Sequence, residues 1–351
     1  MQGYDSRREM MRVVSLALSV LDQSPVPDGS SAAAALHQTL TLARATEALG
    51  YRRYWVAEHH GTRSLAATAP EIVVGAVAGC TSTMRVGSGG VLLSHYSPLK
   101  VAETFRTLSA LYPGRIDLGV GRTPGADPVT EAALQYLPGV PGDERYVDKV
   151  VDLLGFLADR LDPGHPFERV RAMPDGVAPP KLWMLGSSSH SGAVAAYLGQ
   201  PFAFAQFITS AFGPQVMAAY RRGFQPSTTC AGPEALVAVA VMCADTDAEA
   251  ERLARSAAVW RLRPEGTERG PLLPPEEAAA RVLTDLEEAK LAQSRAATVV
   301  GGPDRVHAEL TSLAGSYGVD ELIVLTICHD PAARLRSYEL LAETFGLEGG
   351  G

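Results

Sequence analysis

The chain has 351 residues, 46% of them apolar and 20% charged, with a formal net charge of −8. That length holds one large α/β domain or two smaller ones, and the balance is that of an ordinary globular protein. An acidic total with no basic stripe argues against a nucleic-acid footprint, and short pairs such as Arg52-Arg53 and Arg221-Arg222 read as solvated faces.

At the amino end, Arg7-Arg8 ahead of an apolar run resembles a secretory leader, but Asp22-Gln23-Ser24-Pro25 follows in place of a cleavage site. The reading is a flexible extension over 1–12 and a first strand at 13–20. Further strand-like runs fall at 53–57, 85–92, 116–120, 181–185, 202–208, 236–243 and 321–327. Helix-period stripes lie between them, such as Val101, Phe105, Leu108 and Tyr112, or Val306, Leu310, Leu313 and Tyr317. Thr246-Asp247-Ala248-Glu249 has the pattern of a capping box opening another helix. Strands followed by helices imply parallel pairing with right-handed crossovers. Eight such units predict an α/β fold, a (β/α)8 TIM barrel. A doubly wound sheet is the alternative, although the first strand runs into residues 22–25 without a glycine loop.

Insertions are expected after strand 4, at 122–142, and after strand 7, at 261–300. The second is either an active-site lid or a plain surface insertion. A single domain over 13–346 precedes a flexible tail at 347–351. No apolar run has transmembrane length. The cysteines, Cys80, Cys230, Cys243 and Cys328, are dispersed without zinc spacing. They fit a reducing cytoplasm, with Cys243 and Cys328 as small buried hydrophobes.

The residues with chemistry to offer cluster at strand ends. Ala57-Glu58-His59-His60 follows the second strand. Successive strand side chains face opposite ways, so the two imidazoles cannot share a site while the strand persists. Metal chelation by the pair is disfavoured and no metal site is expected. One imidazole at the carboxyl end of a barrel strand is a proton-transfer group or a structural histidine. The same alternation puts Glu58 on the opposite face.

The third strand contains Gly87, Gly89 and Gly90, which mark either close approach of a ligand or a bulge. The fourth ends in Gly121-Arg122, whose guanidinium suits a phosphate or a salt bridge with an acid such as Asp127. The fifth runs into Gly186-Ser187-Ser188-Ser189-His190-Ser191-Gly192 and then a helix. That loop is an anion cradle or a helix cap. Imidazole, glycine floor, arginine and anion loop thus follow strands two to five, all on one barrel face. A flat, phosphorylated cofactor would use each.

These segments, with Gly119–Gly125, Ala195–Gly199 and Phe202–Ala205, resemble the bacterial luciferase-like flavin-dependent monooxygenase family over about residues 13–346. The resemblance is closest to its luciferase-like oxidoreductases of undetermined substrate. It implies FMN at the carboxyl ends of the strands, with His59 as the catalytic residue. Arg122, Gly186, Ser187, Ser188 and Ser191 would surround the phosphate. Gly89-Gly90 would lie beneath the isoalloxazine ring, joined by a cis peptide. The implied reaction uses reduced FMN and O2 to oxidise a small organic substrate, an aldehyde, ketone or natural-product intermediate, through a flavin hydroperoxide. A separate NAD(P)H:flavin reductase would supply the reduced cofactor, since no dinucleotide fingerprint is present. Helices near 70–79 and 97–112 would form a homodimer interface. Gly121 stands where light-emitting members carry a reactive cysteine, so thiol chemistry is not implied. F420-dependent hydride transfer on the same fold and non-catalytic flavin binding are the alternatives.

Overall fold

A computed structural model of the chain describes residues 16–122, 127–135, 145–263 and 269–349. Its elements run β1 (Ala17–Asp22), α1 (Ala32–Ala48), β2 (Arg53–Val56), α2 (Pro70–Gly79), β3 (Arg85–Leu92), α3 (Pro98–Leu111), β4 (Ile116–Gly121), α4 (Pro128–Gln135), α5 (Tyr146–Leu157), β5 (Lys181–Gly186), α6 (Ser189–Tyr197), β6 (Phe202–Ala205), α7 (Gly213–Gly223), β7 (Ala235–Cys243), α8 (Asp247–Trp260), α9 (Pro275–Ala280), α10 (Asp285–Ala296), β8 (Thr298–Gly301), α11 (Pro303–Tyr317), β9 (Glu321–Leu325) and α12 (Pro331–Phe345). Proline opens α2, α3, α11 and α12. There its fixed φ suits the helix and its missing N–H costs nothing.

β1 to β6 pair in sequence order, β6 pairs with β7, β7 with β9, and β9 with β1, every ladder parallel. Eight staves therefore close a (β/α)8 barrel. The ninth strand, β8, differs from the expectation of eight and begins inside the 261–300 stretch read as an insertion. At Ala240 both β9 and β8 pair with β7, so they occupy opposite edges of it. β6 holds the edge opposite β9 at Val237 and Ala238. β8 therefore extends the position of β6, pairing with Ala240–Cys243 after β6 has ended. It lengthens the wall and leaves the stave count unchanged.

The remaining strand bounds shift by a few residues. Residues 13–15 and the 1–12 extension lie outside the described residues, as do parts of 122–142 and 261–300. Leu347 packs against the outer core. Cys243 and Cys328 are buried at 1% and 2% exposure. Burial pushes the Cys243 thiol up to about 12 and the Cys328 thiol to about 11. Thr246 caps α8 by accepting from the Glu249 N–H at 3.2 Å. The Glu249 carboxylate turns to Arg252 at 2.8 Å.

Strand alternation sorts the core. Leu18, Val20, Tyr54, Val56, Val86, Leu118, Val120, Phe202, Phe204, Val237, Val239, Leu322 and Val324 face outward into one cluster with the helices. Leu21, Trp55, Trp183, Ala203, Leu236, Ala238, Ile323 and Leu325 fill the barrel. The rings of Trp55 and Trp183 meet edge-on at 5.5 Å. Beneath them is a buried ion layer. Arg53 donates to Glu321 through Nε at 2.5 Å and Nη2 at 2.9 Å, and to Asp117 at 2.9 Å. Asp117 also accepts from the Trp55 indole at 3.0 Å and from Arg85.

A second buried carboxylate ends β1. Asp22 accepts from Arg334 at 2.7 Å, Tyr54 at 2.6 Å, Thr39 at 2.7 Å and the Ser24 N–H at 2.7 Å. Burial pushes this carboxyl up, but Arg334 and the hydroxyl donors prevail and hold it below its ordinary value. A depressed carboxyl stabilises the fold above its unfolded value, near pH 4, and that contribution is lost as pH falls through the lower folded value. Urea denaturation at stepped pH should show this loss below about pH 4. In Asp22→Asn, which is less stable at neutral pH, that pH dependence should be shallower.

Candidate active site

Strands β2 to β5 deliver their exit loops to one rim of the barrel, as their parallel order requires. A cavity of about 170 Å³ opens there. Its lining includes His59, Gly89, Gly90, Arg122, Gly186 and Ser187, so six of the eight residues singled out in the sequence converge on one space. A larger cavity, about 740 Å³, lies at the opposite end among Arg85, Ile116, Lys181 and Leu182 and holds none of them. Barrel enzymes place their chemistry at the carboxyl rim.

β2 ends at Val56, and the alternation that governed the strand ends with it. His59 lines the cavity, its N–H donating to the Ala67 carbonyl at 3.1 Å. His60 turns away to Glu58, with Nε2 on Oε1 at 2.7 Å. Glu58 does not face the opposite side as expected. It lines the same cavity as His59, because the chain curls once it leaves the ladder. Its other oxygen accepts the Leu92 N–H at 2.9 Å, and Oε1 also accepts the Tyr96 hydroxyl at 2.5 Å. Burial pushes the Tyr96 hydroxyl well up, and its bond to Glu58 adds to that.

The floor is β3. The Gly89–Gly90 peptide bond is cis, and the β3–β4 register shifts between Ser88 and Val91. A Cβ on Gly89 would lie 2.6 Å from Leu21 Cδ1, and one on Gly90 would lie 2.7 Å from the Gly119 carbonyl oxygen. A side chain at Gly90 would run into backbone and one at Gly89 would require Leu21 to shift, so the two glycines leave bare backbone at the cavity wall. A Cβ at Gly121 would meet nothing within 4 Å.

At the polar end, Arg122 is exposed, and its carbonyl accepts from Ser94 Oγ at 3.3 Å. Asp127, the acid suggested for it, caps α4 by accepting from Thr130 and the Val129 N–H. Residues 123–126, which include Thr123-Pro124-Gly125, are outside the described residues. Lys149, not flagged in the sequence, donates to the Ser94 carbonyl at 2.7 Å and steadies the segment behind Arg122. Burial, with Arg145 nearby, lowers its pKa.

Ser188 and Ser191 are not among the cavity-lining residues. They cap α6 reciprocally: Ser188 Oγ accepts the Ser191 N–H at 3.3 Å, and Ser191 Oγ accepts the Ser188 N–H at 3.2 Å. The cap in turn shapes the cradle, since a Cβ on Gly186 would fall 2.2 Å from Ser191 Oγ. Helix geometry leaves the first-turn N–H groups of α6 without intrahelical acceptors beside Ser187.

Apart from Gln23, the other side chains of the wall are apolar, among them Leu21, Trp55, Leu185, Phe207 and Ile323. Part of the 261–300 stretch reaches the same rim. Leu272, 1% exposed, packs with Leu21 and Trp55. It accepts from the Asp28 N–H at 2.8 Å, and its own N–H donates to the Val26 carbonyl at 3.1 Å.

Barrel, rim cavity, glycine floor and arginine together form a candidate site at the carboxyl rim of a (β/α)8 barrel. Residues 11–321 match the luciferase-like monooxygenase family, and the chain belongs to it. It is 44% identical to the uncharacterized protein YceB of Bacillus subtilis (strain 168), over 93% of this chain and 99% of that one. It is 36% identical to the N-acetyl-S-alkylcysteine monooxygenase of the same organism, over 93% and 98%. The crystal structure of apo-MsnO8 superposes with a TM-score of 0.85 at 41% identity, covering 95% of this chain and 99% of that one. More distant structures share the fold. They include the oxygenating constituent of 3,6-diketocamphane monooxygenase from Pseudomonas putida in complex with FMN, at 18% identity and a TM-score of 0.67. An F420-dependent secondary alcohol dehydrogenase, at 16% and 0.65, is another. Among the described residues no helix is long and apolar enough to cross a membrane.

Proposed function

We propose that this protein is an FMN-dependent monooxygenase that inserts one oxygen atom of O2 into a small, largely apolar organic substrate. The observation that carries the reading is the convergence of His59, the Gly89–Gly90 floor, Arg122 and Gly186–Ser187 on one cavity. These residues fit a flat ring with a phosphate tail: backbone without side chains at one end, a guanidinium, a hydroxyl and helix N–H groups at the other. The enclosed space is smaller than the roughly 300–1,000 Å³ of a typical ligand pocket, so its walls would hold the ring and the exposed Arg122 beside it would hold the phosphate. Reduced FMN, when bound, supplies the two electrons that send one oxygen atom into product and the other into water.

The chain's own part is to bind, to exclude water and to manage protons. Arg122 and Ser187 anchor the phosphate. Trp55, Leu185, Phe207 and Ile323 keep the space dry, which matters for a reactive oxygen species. His59 lines the cavity and would exchange protons there. The apolar walls suit the uncharged end of a substrate, such as an aldehyde, a ketone or the alkyl sulfide of the relative's N-acetyl-S-alkylcysteine. A separate NAD(P)H:flavin reductase would supply the reduced cofactor. A homodimer would bury Ile72 of α2 and Leu111 of α3, which are 71% and 64% exposed.

Titration with FMN, reduced FMN and F420, followed by incubation with reduced FMN, 18O2 and an alkyl sulfide or aldehyde, tests this. The expected result is saturable binding of reduced FMN that Arg122→Ala weakens, and product heavier by one labelled oxygen. Binding of F420 with hydride transfer and no label would overturn it in favour of the dehydrogenase reading.

A further inference from the structure

Glu58, 3% exposed, is the carboxylate among the described residues that line the cavity, and the chemistry proposed above gives it no task. Its bonds tie two exit loops together. It belongs to the segment after β2, two residues from its partner His60. Its other partners, the Leu92 N–H and the Tyr96 hydroxyl, sit at the end of β3 and just beyond a single 3-10 turn, Leu93–His95. Leu92 is two residues past the Gly89–Gly90 floor. Within that turn Ser94 donates to the Arg122 carbonyl. One carboxylate thus connects the imidazole-bearing loop to the glycine floor and, through Ser94, to the arginine segment.

We propose that Glu58 is the positioning residue of this site: a three-bond clamp, completed by His60 and Tyr96, that sets the register between His59 and the Gly89–Gly90 floor. This rests on the flavin reading for its functional meaning but not for its structural test. The clamp needs acceptors more than it needs charge. Glutamine has the same reach, and its carbonyl can accept from Leu92. Its amide can donate to the Tyr96 oxygen or to His60 Nε2 in the other tautomer. Alanine removes all three bonds and leaves a buried N–H and a hydroxyl without their acceptor. The His60 and His95 rings meet edge-on at 6.3 Å, and His95 meets Tyr96 at 6.3 Å. The aromatic packing holds the segment against the carboxylate but supplies no acceptor in its place.

The test has a readout that requires no cofactor. Amide hydrogen exchange over residues 90–96 is measured in the wild type, Glu58→Gln and Glu58→Ala, followed by FMN titration and steady-state turnover. Glu58→Ala should lose protection in that segment, bind FMN more weakly and lose about 100-fold in kcat, as misplacement by about an ångström does. Glu58→Gln should keep protection, binding and kcat close to those of the wild type. Unchanged exchange in Glu58→Ala would overturn the clamp. Loosened exchange with intact FMN binding and turnover would overturn its role in the site. A Glu58→Gln variant that is protected and binds FMN but is as slow as alanine would make Glu58 a charge-bearing group and not a positioning one. If Glu58→Ala does not fold, Tyr96→Phe removes one of the three bonds and should shift exchange and kcat in the same direction by less. No shift in either would also overturn the proposal. Failure of the wild type to bind any flavin would sink the functional reading above while leaving the exchange result interpretable.

Discussion

Replacing His59 by alanine lowers product formation by about 10²–10⁴-fold, the usual contribution of one placed proton-transfer group. Affinity for FMN stays near that of the wild type, because Arg122 and Ser187 hold the phosphate end and neither is disturbed. The loss therefore falls on kcat. Oxygen consumption by the bound reduced flavin continues, so the variant consumes O2 without making a matching amount of product. Comparing the oxygen electrode trace with product mass measures that uncoupling. Added imidazole should restore part of the rate in His59→Ala, where the cavity keeps the space of the lost ring, and should do nothing for the wild type. The neighbouring His60→Ala is the informative contrast. It removes a partner of Glu58 and not a cavity-lining imidazole, so it should loosen the β3 exit and should not be rescued. Product formation that survives in His59→Ala would remove this residue from the mechanism.

The difference between these two adjacent histidines shows how far the sequence can be read. Strand alternation predicts that only one of the pair serves the site, and His59 lines the cavity while His60 does not. The reason differs from the rule, because both lie beyond the end of β2 and His60 is held by Glu58. Glu58 lies beyond Val56, where the ladder has ended, so its direction is set by the Leu92 N–H and the Tyr96 hydroxyl on another loop. Partners so far away in sequence leave no local signal. The staves were legible because each carries an apolar run with two buried faces. β8 was not, because Thr298–Gly301 is four residues long, follows directly on α10 and draws its strand character from pairing with β7. Ser188 and Ser191 mark a third kind of limit. A helix cap and a phosphate cradle use the same residue types in the same place, and only the structure shows that each of these two hydroxyls accepts the other residue's N–H.

Asp117→Ala should cost about 3–5 kcal/mol of stability, the typical penalty for breaking a buried ion pair from one side. Asp117 is fully buried between Arg53 and Arg85, and its removal strands the Trp55 indole N–H and half of the Arg53 guanidinium in the barrel. Arg53 is itself 4% exposed and keeps Glu321 as its carboxylate partner, with its guanidinium over the Trp183 ring at 5.1 Å. Thermal unfolding should show the midpoint falling by about 4–7 °C for a chain of this size. The size of that loss measures the cost of an uncompensated charge, not the worth of the intact network. Replacing Arg53, Asp117 and Glu321 together by apolar residues of similar volume should therefore cost less than Asp117→Ala alone, and a larger loss in the triple variant would refute this account. The ion layer also reaches the site. Trp55 stands on Asp117 and lines the cavity, and its Cβ lies 3.0 Å from where a Cβ on Gly89 would be. Once the indole loses its acceptor, the floor loses its support, so FMN should bind Asp117→Ala more weakly at temperatures where the barrel remains folded. Undiminished FMN affinity in a folded Asp117→Ala protein would show that the barrel's ion layer stabilises the fold without shaping the rim.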